Sequence, residues 1–184
     1  MAVEEILTPR LVIRAFRSDD WADMLEYLSD DTVVRYEPYD VLDEATCREW
    51  AVRRSQDDAI RAVCLRADGK LIGNVYLAER DFGTWELGYV FNRAFHGQGY
   101  ATEAAAAVVD EAFRHRGAHR VIGRCDPLNA PSWRLLERLG MRREAHLVQD
   151  HHFKQTNTGE PLWADTYEYA VLASEWASAH LATR

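Results

Sequence analysis

The sequence predicts a mixed α/β fold, α+β in character, with a mostly antiparallel sheet and helices on both faces. Three observations predict it. A strand-like run leads into two helical stretches near the N-terminus, and three strand-like runs joined by turns fill the middle. The second half then alternates helix and strand before closing on two more strands. A meander that feeds a strand-helix-strand crossover produces a sheet of mixed orientation.

Each element has a local reason. "RLVIRAF" (residues 10–16) alternates as a strand, and "SDDWADMLEYL" follows with Trp21, Met24, Leu25 and Leu28 at helical spacing. Ser18 is its predicted N-cap, with Asp19 and Asp20 in the first turn. A second helix starts near Asp43 and carries Trp50. "IRAVCLRADGKLIGNVYLAE" reads as two strands around Asp68-Gly69, and "GTWELGYVF" as a third after a turn at residues 81–83. An alanine-rich helix then runs from the "HGQGYA" stretch (96–101) to a C-cap glycine, Gly117. "HRVIGRC" is the next strand, and "NAPSWRLLERLGM" a helix with Pro131 near its first turn and Gly140 past its end. "EAHLVQDHHF" and "DTYEYAVL" supply two strands, and "SEWASAHLA" a final short helix.

Composition sets the outer limits. At 184 residues the chain suits a single domain, residues 1–184, and 47% hydrophobic with 28% charged residues is ordinary for a globular protein. The formal charge of -8 excludes a general grip on nucleic-acid phosphates and suits a cationic substrate better. Cys47, Cys64 and Cys125 are odd in number and lack a CxxC spacing, which predicts neither a disulfide framework nor a zinc knuckle and suits reducing cytosol. No signal-peptide pattern or membrane-length apolar run occurs, so a soluble cytoplasmic protein with no membrane partner is expected. In "DHHF" (150–153) adjacent histidines on a strand face opposite ways and no third ligand follows, so no metal is expected. His151 and His152 are instead candidates for the border of a substrate pocket. Trp21, Trp50 and Trp133 are predicted as core residues.

The chemistry concentrates at the helix entry "AFHGQGYATEA". A helix N-terminus presents backbone N–H groups without internal partners and the positive end of the dipole, and small residues there let a phosphate approach. A Walker A loop would need Gly-Lys-Ser/Thr where Gly99-Tyr100-Ala101 stands. A Rossmann fingerprint would need Gly or Ala at position 102, which is Thr102. "HGQGYA" instead resembles the Q/R-x-x-G-x-G/A diphosphate loop of the GNAT superfamily of N-acetyltransferases, and "GYATEA" is similar to the RimJ/RimL branch. "TPRLVIR", "DGKLIGNVYL", "WELGYVF", "NAPSWRLLERLGM" and "YEYAVLASEW" agree in order and spacing, so the resemblance covers almost the whole chain.

The resemblance implies a GNAT fold with a splayed central sheet, acetyl-CoA as acetyl donor, and a primary amine as acceptor. The RimJ/RimL likeness points to a protein or peptide N-terminal amine. A small amine, an amino acid or an antibiotic is the alternative, and a non-catalytic acyl-CoA-binding module the alternative of another class. The resemblance assigns the diphosphate to His96, Gly97, Gln98, Gly99, Tyr100, Ala101 and Thr102, with His96 standing where the family usually has Gln or Arg. It also implies that backbone groups of Val90, Phe91 and Asn92 hold the pantetheine arm and support the thioester oxygen. Glu86 is the implied general base, Asn129 holds the cofactor arm, and Ser132 protonates the leaving sulfur, with Tyr100 the second choice. A solvated strand carboxylate explains Glu86 as well, and helix capping explains Asn129 and Ser132. A homodimer is the family-level expectation.

Overall fold

Residues 4–181 are described in the computed structural model. In chain order they form β1 (Ile6–Leu7), β2 (Leu11–Ala15), α1 (Trp21–Leu28), α2 (Glu44–Arg54), β3 (Ile60–Leu65), β4 (Leu71–Glu79), β5 (Thr84–Phe91), α3 (Tyr100–His115), β6 (Arg120–Cys125), α4 (Ala130–Arg138), β7 (Arg142–Gln155), β8 (Pro161–Leu172) and α5 (Ala173–Leu181). The strands order as β1-β2-β3-β4-β5-β6-β8-β7. β5 and β6, joined through α3, are parallel, while β1/β2, β2/β3, β3/β4, β6/β8 and β7/β8 are antiparallel. Ala182 of the predicted tail helix and the first three residues of the N-terminal stretch lie outside the described residues. Among the described residues no helix is long and apolar enough to cross a membrane.

The chain divides into two compact units. The first holds the described residues within Met1–Arg35, Asp40–Ala78 and Gly88–Val108, and the second those within Tyr36–Tyr39, Glu79–Leu87 and Val109–Arg184. In the first, Leu11, Ile13, Met24, Tyr27, Leu28, Val63, Leu71 and Ile72 are buried, and α1 packs on α2. Gly73 is the close-approach point of this unit: a Cβ there would sit 2.6 Å from the Val90 carbonyl oxygen and 2.7 Å from the Phe91 ring. α1 begins at Trp21, with Asp20 rather than Ser18 at its N-cap. The Asp20 carboxylate does not cap. It takes both ends of the Arg14 guanidinium at 2.7 and 2.8 Å and the Arg17 N–H at 2.7 Å, an ion pair with both side chains buried.

In the second unit α4 packs on β6, β7 and β8, and Gly123 of β6 admits it: a Cβ there would meet Leu136 Cδ2 at 2.6 Å. β7 and β8 run longer than the predicted strands, and most of β7 is exposed. Gln149 sits in β7 at φ +50, and its N–H donates to Asp165 at 2.9 Å where the register shifts. The three predicted core tryptophans are only half-buried. Arg48 lies 3.4 Å over the Trp21 ring, Arg54 5.2 Å over Trp50, and Arg134 5.1 Å over Trp133, so each indole meets water through a cation's apolar face.

Candidate active site

The glycine stretch is built in the first unit. β5 ends at Phe91, and Asn92 starts a 3-10 turn, Arg93–Phe95, by accepting the Ala94 N–H at 3.0 Å. Gly97 and Gly99 follow at φ +73 and +82, flanking Gln98, which lacks a positive φ. Positive-φ glycines on either side of a single residue are the kind of backbone alternation from which anion-binding nests are built. The Gly99 carbonyl accepts the first helical bond, from the Glu103 N–H at 3.0 Å, so α3 starts there. The N–H groups of Gly99, Tyr100 and Ala101 therefore have no acceptor within the helix and sit at its positive end.

Around this loop the protein commits several of the implied contacts to itself. Asn92 is buried, its N–H donates to Ile72 O at 2.8 Å, its carboxamide N–H to Glu26 at 3.2 Å, and its carbonyl accepts the Phe95 N–H at 3.0 Å. It shapes the turn, and its amide is not available to a thioester oxygen. His96 Nε2 bonds the Phe91 carbonyl at 2.9 Å, and because a carbonyl only accepts, Nε2 carries the proton. His96 thus ties the loop to the end of β5 instead of reaching an anion through that nitrogen. The Gln98 side chain turns back to Ala94 O at 3.4 Å, leaving its backbone as the contribution to the loop.

An ionic cluster absent from the sequence reading holds the helix start. Glu103, one turn into α3, accepts from Thr8 Oγ1 at 2.6 Å, from the Arg10 N–H at 3.0 Å and from Arg10 Nε at 2.6 Å. Burial pushes the Glu103 carboxyl up, but the Thr8 and Arg10 hydrogen bonds outweigh it and hold the group below the usual carboxylate range. "TPRLVIR" contained the signal: a carboxylate at the anion-binding end of a helix needs a counter-cation, and Arg10 supplies it.

Val90 and Phe91, both buried, end β5 in the first unit, whereas Glu86, Asn129 and Ser132 lie in the second. β5 pairs with β6 from Thr84↔Arg120 to Leu87↔Gly123. Within that stretch Trp85 and Leu87 are buried and Glu86 lies on the other face, as the alternation predicts. Glu86 is not merely solvated: both Arg80 Nε and Nη2 lie 2.8 Å from its Oε2. At the mouth of α4, Asn129 occupies the N-cap position without a side-chain cap bond, so capping does not account for its carboxamide. The Ser132 hydroxyl is hydrogen-bonded to the Cys125 thiol at the end of β6. Burial pushes that thiol up to about 11, partly offset by this bond. At neutral pH Cys125 is therefore a neutral neighbour of Ser132 and a poor nucleophile.

A loop of this form, followed by a strand and a helix opening with Asn129 and Pro131, is matched from residue 10 to residue 142 by the family model for the acetyltransferase (GNAT) domain. The chain belongs to the GNAT family of acetyltransferases. It is 38% identical over 176 residues to the uncharacterized N-acetyltransferase YnaD of Bacillus subtilis (strain 168), spanning 93% of this chain and 98% of that one. The crystal structure of a GNAT-family acetyltransferase from Bacillus anthracis is 34% identical, covers 94% of this chain and 100% of its own, and superposes with a TM-score of 0.83. Two more distant structures share the GNAT fold. One is a ribosomal-protein-S5-alanine acetyltransferase from Vibrio fischeri (19% identical, 94% and 98% covered, TM-score 0.76). The other is a spermidine N-acetyltransferase from Vibrio cholerae in complex with CoA and spermine (20% identical, 92% and 99% covered, TM-score 0.74). The GNAT architecture expected from the sequence, an open mixed sheet with helices, is thus the one observed.

Proposed function

We propose that this chain transfers the acetyl group of acetyl-CoA to a primary amine, by direct attack in a ternary complex, with the N-terminal amine of a protein or peptide as the acceptor. The observation that carries the reading is the glycine-flanked helix entry at Gly97 to Ala101, whose amides and helix dipole suit a diphosphate without any charged side chain. The family match draws on residues of both units, which supports reading residues 1–184 as one acetyltransferase domain. Three thiols without CxxC spacing support a cytoplasmic location.

In this reading the amine lone pair attacks the thioester carbonyl carbon. The new C–N bond replaces the C–S bond, the amine proton passes to Glu86 and from there to solvent, and the departing sulfur takes a proton through Ser132, whose hydroxyl is restored from solvent water. Asn129 holds the cofactor arm, and β5 near Val90 and Phe91 supplies the backbone along which that arm lies; Asn92 and His96 shape the loop without touching the donor. The "GYATEA" and "TPRLVIR" likeness to the RimJ/RimL branch supports the N-terminal acceptor. A free α-amine titrates near 8, so it needs less help from a base than a lysine or polyamine nitrogen near 10. The chain's charge of -8 favours the second reading, a small cationic amine.

Thiol release from acetyl-CoA across a panel of peptides and amines tests this. Release with peptides bearing a free N-terminus, lost when that amine is blocked, is the expected result. Faster release with spermidine than with any peptide would transfer the assignment to the second reading. Tight acetyl-CoA binding with no release for any acceptor would mark a binding module and refute both.

A further inference from the structure

Resting on that reading, we propose that Arg10 is a positioning residue for the donor: it sets the direction of the Gly99 amide so that this N–H faces the diphosphate. Arg10 stands 93 residues from Glu103 in sequence, in the "TPRLVIR" run just ahead of β2. Its guanidinium makes three separate contacts to the loop and the first turn of α3. Nε meets Glu103 Oε2 at 2.6 Å, Nη1 donates to the Gln98 carbonyl at 2.9 Å, and Cζ lies 4.4 Å from the centroid of the Tyr100 ring.

The Gln98 carbonyl and the Gly99 N–H belong to one planar peptide, which is trans like every other in the described chain, so they point in opposite directions. Holding the carbonyl toward Arg10 turns the N–H away from it, to the other side of the loop. A glycine, Gly99, follows that peptide and leaves it freer to turn than any other residue would, so the hydrogen bond from Arg10 Nη1 to the Gln98 carbonyl selects its direction. Gly99 fits the same account from the other side: a Cβ there would lie 3.3 Å from Arg10 Nη2, so a side chain would press on the group that fixes the peptide.

The cluster also resolves an electrostatic conflict. A carboxylate in the first turn stabilises a helix on its own, but it opposes an anion bound at the same end. Thr8 Oγ1, the Arg10 N–H and Arg10 Nε engage Glu103, and the Arg10 charge cancels it. Removing Arg10 would free the Gln98 peptide to rotate and leave an uncompensated negative charge at the helix entry. Both changes act on the diphosphate and neither on the reacting carbonyl.

The test compares acetyl-CoA with S-acetylpantetheine, a thioester donor that ends before the diphosphate. In Arg10→Ala the KM for acetyl-CoA should rise about tenfold with kcat within about twofold, and the kcat/KM preference for acetyl-CoA over S-acetylpantetheine should fall by the same factor. Arg10→Lys keeps the charge but reaches one acceptor at a time, so it should show a smaller fall in the same ratio; it carries the test if Arg10→Ala does not stay folded by circular dichroism. A preference unchanged in the variants, or an equal loss with both donors, overturns the inference and makes Arg10 only a structural tie. Wild-type protein that neither binds nor turns over acetyl-CoA would instead refute the proposed function itself.

Discussion

Glu86→Gln is expected to lower kcat by about two orders of magnitude or more while leaving acetyl-CoA affinity unchanged. Gln keeps the shape of the side chain and its place opposite Ile122 in β6, but it cannot take a proton from the attacking amine. The fold should survive, because the ion pair that is lost is a partly exposed one, with Arg80 48% and Glu86 21% accessible, and such pairs contribute about 0–1 kcal/mol. The same pair explains why the role is demanding. Arg80 occupies Oε2, so Oε1 is the oxygen left to accept from the amine or a bridging water. Raising the pH supplies a further check. An N-terminal α-amine loses its own proton above about 8, so the deficit of Glu86→Gln should narrow there, whereas a polyamine acceptor needs about pH 10 for the same relief. Wild-type kcat in Glu86→Gln at pH 7 would remove Glu86 from the mechanism.

Gly73→Ala is expected to cost about 3 kcal/mol of stability in denaturant titrations. The added methyl would lie 2.6 Å from the Val90 carbonyl oxygen and 2.7 Å from the Phe91 ring, and neither can step aside without moving β5. Gly123→Ala is the informative control. Its Cβ also meets an atom at 2.6 Å, but that atom is the tip of Leu136, which can change rotamer, so its cost should be clearly smaller. Equal costs at the two positions would show that backbone proximity at Gly73 is not what limits the substitution. Because Gly73 supports the end of β5 that leads into Asn92 and the glycine loop, the surviving Gly73→Ala protein should also bind acetyl-CoA more weakly.

Much of the fold is legible in the sequence because local chemistry and burial agree. Asp68-Gly69 closes the β3–β4 hairpin with Gly69 at φ +78, and Gly117 and Gly140 stand past the ends of α3 and α4 at φ +68 and +78. Asp43 caps α2 through the Thr46 N–H at 2.8 Å. Local reasoning fails where a distant partner claims a side chain. Asp20 rather than Ser18 holds the N-cap position of α1 and is committed to Arg14, and Trp21 and Trp50 leave the core for Arg48 and Arg54, one turn or more away. β7 and β8 outrun their predicted lengths because their outer parts are exposed on both sides, so burial imposes no alternation there to read.

The site divides in the same way. Residue types and spacing point to the loop, to Glu86 and to the start of α4. What the side chains are doing depends on tertiary partners: Arg10 for Gln98 and Glu103, Arg80 for Glu86, Cys125 for Ser132. Asn92 is the exception that was readable. An Asn directly ahead of a short turn that opens on Arg93 has the form of an Asx cap, and its side chain makes that contact.

Main-chain amides from Gly97 to Ala101 are proposed to hold the diphosphate of coenzyme A, and a crystal structure of the full chain with CoA bound is the decisive check. Diphosphate oxygens are expected within hydrogen-bond distance of those N–H groups, with the Gly99 N–H on the side away from Arg10. CoA bound with its diphosphate elsewhere on the protein would contradict it.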